Sequence, residues 1–484
     1  MNQKSIKKNF LMNILLTMSS FIFPLITFPY VSRVLLLLGT GKVAFATSVI
    51  SYFSLFANLG IPMYGIRACA KVRDDKEKLT QTAQELLIIN ILTSLITYVA
   101  LVGAVILVPR FHSEKKLLMV ISVSIILSAF GIEWLYKALE QYTYITIRSV
   151  IFKFIALIAM LMIVRNEHNY VEYGFITIFA ASASNILNLI NAHKYIGFKP
   201  IGNYNFKQHL KPIAVFFAMS CATTIYTNLD VVMLGFMKTD VDVGYYNAAV
   251  KIKYVLVSIV SSLGAVILPR ASYYVEHRQR KEFEKICRKA LNFVLLISVP
   301  MTVYFIIYAR AGIIFLSGEA YEGSVVPMQI IMPTLILIGI TNILGIQILV
   351  PTGREKAVLY SEIAGAIVDV IINAILIPKM ASSGAAIGTL VAEVVVLLVQ
   401  YVYLRNELGI IISGINIIRI VAATVISAIV SFGVIYIDLN SFIKLLVSGV
   451  LFFGTYGTYM ICKREELAME VLGIVKIAAK KRIR

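Results

Sequence analysis

The sequence predicts an all-α polytopic membrane protein, and three observations carry that prediction. Hydrophobic residues make up 59% of the 484 residues and charged residues only 15%, against about 45–50% and about 25% in soluble domains. Apolar stretches near the ~20 residues of a spanning helix recur along the whole chain. Basic residues concentrate on alternate connections between those stretches. The spans read, in order, at 10–35, 43–66, 84–108, 114–135, 146–164, 170–193, 210–237, 243–270, 287–310, 324–350, 356–377, 382–404, 414–437 and 441–462, fourteen in all. Fourteen helices buried in a soluble protein would need polar faces around them, and the chain has none to offer.

Orientation follows from the basic residues. With an inside amino terminus, the inside connections hold 32 of the 45 Lys and Arg, the outside ones hold 10, and three (Lys153, Lys251 and Lys253) lie within spans. Both termini are therefore expected in the cytoplasm, in the cell membrane. The net charge of +19 is mostly this asymmetry, and it points to anionic lipid headgroups, not to nucleic acid. The basic start, Lys4 to Lys8, precedes a long apolar run without a cleavage signature and reads as a retained first helix. The tail KREELAMEVLGIVKIAAKKRIR (463–484) puts Leu467, Val471, Ile474 and Ala478 on one face among basic residues. It reads as an amphipathic basic helix on the inner leaflet.

Several classes drop out. The four cysteines lack CxxC spacing and the five histidines lack metal-ligand spacing, so neither a metal site nor a disulfide framework is expected. GTGKV at 39–43 fails the phosphate-loop pattern, with Leu36 at the first glycine position and Val43 at the Ser/Thr position. No polar stretch is long enough for a catalytic domain. The expectation is a transporter without a cofactor and not an enzyme.

An internal repeat shapes the architecture. Gly41, Leu59-Gly60, Arg67 and KVRDDKEKL in the first half echo Gly244, Leu263-Gly264, Arg270 and VEHRQRKEFEK in the second. FGIEWLYKALEQ (130–141) echoes LGIQILVPTGRE (344–355), and Gly174 echoes Gly388. The offsets of 203–214 residues predict a six-helix lobe at 1–200, a second at 201–405, and two additional helices at 406–462. An even helix count per lobe makes this a parallel pseudo-twofold repeat, of the kind that holds substrate near the midplane.

The intramembrane charges are the candidate functional residues, because a lysine near mid-bilayer costs roughly 2.5–3.5 kcal/mol on insertion scales. On a helix, Asn247, Lys251, Tyr254 and Ser258 form one polar stripe. Lys251 thus reads as a cavity residue, either a cation for an anionic substrate or half of a helix-to-helix ion pair. Lys253 shares its face with Tyr246, Ala249, Val250, Leu256, Val257 and Val260, and is expected to snorkel or to pair with an acid. Asp230 shares a stripe with Thr223 and Tyr226, Asp369 with Glu362 and Asn373, Glu393 with Thr389 and Gln400, and Lys153 with Ser149 and Thr146. Such polar company suggests a wetted interior. Arg33, near the outer end of the first helix, either snorkels or joins that interior. Glu133 and Lys137, four apart, are expected to pair. Pro24 and Pro29 are expected to bend the first helix, which makes them gate candidates.

FPYVSRVL (28–35), GKVAFATSVISYFSLFANLGIPMYGIR (41–67), KVRDDKEKL (71–79), LDVVMLGFM (229–237), VGYYNAAVKIK (243–253) and PTGREK (351–356) resemble the Wzx-type oligosaccharide flippases of polysaccharide biosynthesis. Those are repeat-unit transporters of the MOP superfamily, which also holds the MATE multidrug antiporters and the lipid II flippases. The resemblance covers nearly the whole chain and implies two six-helix lobes plus two C-terminal helices. It also implies a substrate: an undecaprenyl-diphosphate-linked oligosaccharide moved from the cytoplasmic to the outer leaflet by alternating access, for capsule, exopolysaccharide or other surface-polysaccharide assembly. Two positions depart from the family. Leu36-Leu37-Leu38 stands where a Gly-Pro-Glu-like turn is usual, and Ala68 follows Arg67 where Glu is common.

The resemblance and the residues meet at the anion. Lys251 and Lys153 suit the diphosphate as compact charges, with Arg33 and Lys253 as weaker candidates. Asn247, Tyr226, Asn373 and Gln400 are candidates for sugar hydroxyls. Asp230, Asp369 and Glu393 are candidates for pairing with the cations between cycles or for binding H⁺ or Na⁺ as a coupling ion. Arg67 and Arg270, in matching repeat positions, join the prolines as gate candidates. Partners implied are the lipid-linked substrate, membrane lipids and other polysaccharide-assembly proteins. The rival readings are a cation-coupled multidrug antiporter of the same fold, which would want an acidic cavity, and a membrane polysaccharide polymerase, which would want a sizeable outer loop.

Overall fold

The computed structural model describes residues 3–262, 264–413, 415–465 and 469. The expected amphipathic tail therefore lies almost wholly outside the described residues. Among those residues there is helix and no strand. Two compact units divide the chain, Met1–Asn247 and Ala248–Arg484.

The first unit holds α1 (Gln3–Asn58), α2 (Ile61–Lys71), α3 (Lys76–Leu107), α4 (Pro109–Ser113), α5 (Lys115–Gly131), α6 (Glu133–Ala138), α7 (Tyr142–Ile163), α8 (Tyr170–Ile178), α9 (Asn185–Asn191), α10 (Lys207–Met237) and the start of α11 (Asp240–Ser261). The second continues with α12 (Gly264–Glu276), α13 (Arg280–Ile307), α14 (Ala309–Ser317), α15 (Val325–Ile331), α16 (Thr334–Asn342), α17 (Glu355–Ile412), α18 (Ile417–Phe432) and α19 (Ser441–Cys462).

Two of these helices are too long for one crossing. At ~1.5 Å per residue, α1 and α17 would each run about 85 Å, against a hydrocarbon core of about 30 Å. Each is interrupted by one non-helical residue, Leu36 (φ 55, ψ −170) in α1 and Ala381 (φ 47, ψ −124) in α17. The chain reverses at the second: a methyl added to Gly384 would lie 2.6 Å from the backbone of Leu376. Leu36 opens the Leu36-Leu37-Leu38 stretch that stands where the resemblance implies a Gly-Pro-Glu-like turn. Here a leucine takes the left-handed conformation itself, which is unusual for a residue with a Cβ. The helix dihedrals continue through Pro24 and Pro29, so the sharp break falls at Leu36 and not at either proline.

Nine helices among the described residues are long and apolar enough to cross a membrane, or ten with the pair Glu319–Ile331 and Thr334–Leu349, bent by 45°. Two of the nine are the doubled α1 and α17. The predicted spans outside this set are 114–135, which falls on the 17-residue α5, and 243–270, which falls on α11 and α12. Large apolar side chains stay uncovered on many helices, such as Ile418 at 85% and Ile429 at 70% exposed, as suits surfaces that meet lipid.

The two echoed segments 130–141 and 344–355 end in the same kind of turn, which also closes 274–279 and 460–465. At 136–141, Gln141 N–H bonds the Tyr136 carbonyl at 2.8 Å and Glu140 takes φ 56; at 349–354, Arg354 N–H bonds the Leu349 carbonyl at 2.8 Å and Gly353 takes φ 74. Both are the same helix-ending turn, with a left-handed residue next to last. Residues 201–247 belong to the second lobe of the sequence repeat but to the first compact unit. The reason is packing: α10 lies along α1 and α2, so closely that a methyl on Gly60 would meet Phe217 N at 2.5 Å.

Candidate functional site

Charges in the first unit are bound into networks. At one end of its helices, Lys42 pairs with Glu114 at 2.5 Å and lies over the Tyr170 ring, while Arg110 pairs with Asp240 and lies over Phe45. Phe45, Phe111 and Phe236 cluster beneath, with centroids 5.5–6.3 Å apart. The two repeat glycines meet here. A methyl on Gly41 would sit 1.8 Å from the Asp240 carbonyl oxygen, and one on Gly244 would sit 2.5 Å from that of Leu37. Only bare backbone allows this approach, which accounts for the glycines that the sequence repeat marks.

At the basic end of the same unit, buried Glu85 accepts from His209 Nε2 at 2.6 Å and from Asn205 N–H at 2.7 Å, and Tyr64 contacts His209 Nδ1 at 2.8 Å. This polar group ties α2 and α3 to the chain entering α10. Sequence reading missed it, because Glu85 and His209 are 124 residues apart. Glu133 and Lys137 pair at 2.8 Å as expected. Arg67 is exposed.

The candidates of the first unit are distributed among these contacts. Lys153 is half-buried and donates to Ser19 Oγ at 2.8 Å and Ser20 Oγ at 3.0 Å on α1. Its neighbour Thr146 bonds the Met12 carbonyl at 2.9 Å. Arg33 is exposed and its guanidinium turns back to the Pro29 carbonyl, 2.6 Å away. Asp230 is buried and accepts a hydrogen bond from Tyr246. Tyr226 and Asn247 are half-buried.

In the second unit, α11 separates its faces as the periodicity predicts. Tyr246, Ala249, Val250, Lys253, Leu256 and Val260 are buried, while Lys251 and Ser258 are half-open and Tyr254 is exposed. Among the described residues, no carboxylate lies within ion-pair distance of Lys251 or Lys253. The acid partner considered for Lys253 is replaced by an aromatic face: its ammonium lies 5.2 Å from the Tyr254 ring centroid. Arg270 is exposed.

The two halves of α17 enclose a polar cluster. Asp369, Asn373, Glu393 and Gln400 are all buried. Asn373 donates to Asp369 at 3.2 Å, and Gln400 donates to Ser361 Oγ at 3.2 Å. Gly388 makes room, since a methyl there would sit 2.1 Å from Asn373 Oδ1. The structure thus brings the candidate acid Asp369 and the candidate amide Asn373 together, pairs Gln400 with Ser361 instead, and buries all four candidates, Glu393 included.

No group of three or more His, Cys, Asp or Glu among the described residues is arranged to hold a metal ion. Helices long and apolar enough to cross a membrane make this a multi-pass membrane protein, and its family and relatives make it a transporter of the MOP type, not an enzyme. The chain belongs to the polysaccharide biosynthesis protein family, whose model matches residues 6–275; the MatE model matches residues 215–375. It is 24% identical over 408 residues to a putative O-antigen transporter of Escherichia coli (strain K12), covering 84% of this chain and 98% of that one. A putative O-antigen transporter of Shigella dysenteriae is 26% identical over 407 residues, covering 81% and 98%. Among solved structures, the lipid II flippase MurJ in an inward closed conformation aligns with a TM-score of 0.66 at 15% identity, covering 92% of this chain and 99% of that one. An inward-facing multidrug resistance MATE family transporter of the MOP superfamily aligns with a TM-score of 0.63 at 13% identity, covering 80% and 95%. The MATE/MOP-like fold expected from the sequence is therefore the fold of the protein.

Proposed function

We propose that this protein is a flippase. Its cargo is an undecaprenyl-diphosphate-linked oligosaccharide repeat unit, moved from the cytoplasmic to the outer leaflet of the cell membrane for surface-polysaccharide assembly such as capsule or exopolysaccharide. The observation that carries the reading is Lys251, a half-open intramembrane cation with no carboxylate near it among the described residues. An unpaired lysine there is costly unless an anion arrives, and a lipid diphosphate supplies one. Lys153, held by two hydroxyls, is the second diphosphate ligand in this reading, with Lys253 and Arg33 contributing at longer range. Asn247 and Tyr226 meet the headgroup beside them.

Alternating access moves the headgroup while the polyprenyl tail stays in lipid. Arg67, Arg270, Pro24 and Pro29 belong to the moving gates. Asp230, Asp369 and Glu393 take up the coupling ion, H⁺ or Na⁺, with Asn373 and Gln400 holding the acids in place. Both termini are cytoplasmic. Names carried by the relatives support the cargo class, and Lys251 disfavours a cationic-drug antiporter, which needs the opposite charge.

The test is made in a strain lacking this protein. Lipid-linked oligosaccharide is quantified by mass spectrometry and assigned to a leaflet. Accumulation on the cytoplasmic leaflet is expected, rescued by wild type and not by Lys251→Ala. Accumulation on the outer leaflet would instead indicate polymerisation, and no accumulation would favour the drug-antiporter reading.

A further inference from the structure

A cavity of about 310 Å³ opens within the first unit, walled by the second half of α1, the start of α2, α5, the end of α8 and α10. No charged side chain lines it. Its polar groups fall into two kinds. Ser51, Asn58 and Ser124 each donate to a carbonyl of their own helix, at 2.8, 2.8 and 2.7 Å. That leaves the Ser51 and Ser124 hydroxyls as acceptors only, while the Asn58 amide keeps its oxygen as an acceptor and a second N–H as a donor. Thr47, Ser54, Ser220 and Thr224 have hydroxyls with no side-chain hydrogen bond among the described residues, so each keeps a donor and an acceptor. Apolar walls come from Ile50, Leu55, Ile121 and Ile178, all buried.

Three helices therefore converge uncharged hydrogen-bonding groups on a space of the size that ligand sites occupy, about 300–1,000 Å³. The set is rich in acceptors and carries donors as well. This is the complement of a polyol, whose hydroxyls both donate and accept. It suits neither a phosphate, which only accepts and wants cations, nor an acidic sugar, which wants at least one cation. We infer that this cavity is a sugar subsite, holding a neutral sugar residue of the cargo headgroup. The inference rests on the flippase reading and names its sugar chemistry. It selects by matching: a site built to hydrogen-bond hydroxyls rejects a cargo that leaves its polar groups unpaired.

The experiment uses the purified full chain in lipid nanodiscs and three probes. These are undecaprenyl diphosphate, the same lipid carrying a neutral N-acetylhexosamine, and the same lipid carrying a uronic acid. Wild type is expected to bind the neutral glycolipid about tenfold more tightly than the bare diphosphate, a gain that one or two net hydrogen bonds supply, and to show no such gain for the uronic acid. The triple variant Ser51→Val, Asn58→Leu, Ser124→Val should bring the neutral-to-bare ratio to about one. Ser51→Ala and Ser124→Ala, each a smaller change, should lower it by about threefold and provide the reading if the triple variant fails to fold. A ratio near one in wild type, an equal gain for the uronic acid, or a ratio untouched by the single variants would overturn the subsite and leave the cavity merely wetted. Failure of wild type to bind any of the three lipids would instead overturn the flippase reading, and the subsite with it. Lys251→Ala separates the two: it should weaken all three probes in parallel.

Discussion

The charged cluster of Lys42, Arg110, Glu114 and Asp240 and the polar stripe around Lys251 treat their cations in opposite ways. In the first, each cation has a carboxylate within contact distance and an aromatic face beside it. In the second, the lysine stands half-open with no acid near it among the described residues. A paired charge ties helices together and is already satisfied. An unpaired one is a cost, which under the proposed function a ligand offsets.

The largest effect on this contrast should come from Gly41→Val. The added Cβ would fall on the Asp240 carbonyl, a backbone atom with little freedom to move, so the cost should exceed the ~1–3 kcal/mol of ordinary overpacking. Yield of folded protein by size-exclusion chromatography should drop sharply, with Gly244→Val behaving alike. Next is Lys251→Met. Transport in the leaflet assay should vanish while the thermal midpoint holds or rises, since an unpaired intramembrane charge is replaced by an apolar chain of similar length. A fall in both would make the lysine structural and erase the contrast.

Arg110→Met should do the reverse. It leaves Asp240 unpaired, and because Arg110 retains 26% side-chain exposure the cost should sit nearer 1–3 kcal/mol than the 3–5 kcal/mol of a fully buried pair. Adding Asp240→Asn should recover part of the lost midpoint. The smallest effect belongs to Asp75, outside the membrane. Its carboxylate accepts from the backbone N–H groups of Lys78 and Glu77 at 3.1 Å and caps α3. The bond from Lys78 N–H is the main reason its pKa lies below the ordinary carboxylate value. The cap is therefore complete above that ordinary value and is lost as pH falls through the lowered one. Asp75→Ala should speed amide exchange at the start of α3 at neutral pH and abolish its acid dependence.

Much of the fold was legible from local windows. The spans emerge because a bilayer acts on about 20 consecutive residues at a time. The two faces of α11 emerge because 100° per residue places Lys251 and Lys253 on different sides whatever surrounds them. Glu133 and Lys137 pair because they share a helix turn. Less legible were Asn373 and Gln400, which read as open polar stripes and lie buried against Asp369 and Ser361. A stripe that faces a partner helix and one that faces a cavity have the same periodicity. The serines and threonines of the cavity gave no signal, since single hydroxyls are ordinary in membrane spans.

By itself, the sequence determined that this chain spans a membrane many times, where its helices lie, and which family it resembles. These are properties of hydropathy, helical period and local motif, each decided within a few turns of chain. Only the tertiary structure decided which cations would be answered. Arg110 finds Asp240 across 130 residues and His209 finds Glu85 across 124, while Lys251 finds no acid among the described residues. Electrostatic pairing depends on distance in space, and distance in space is set by which helices pack together.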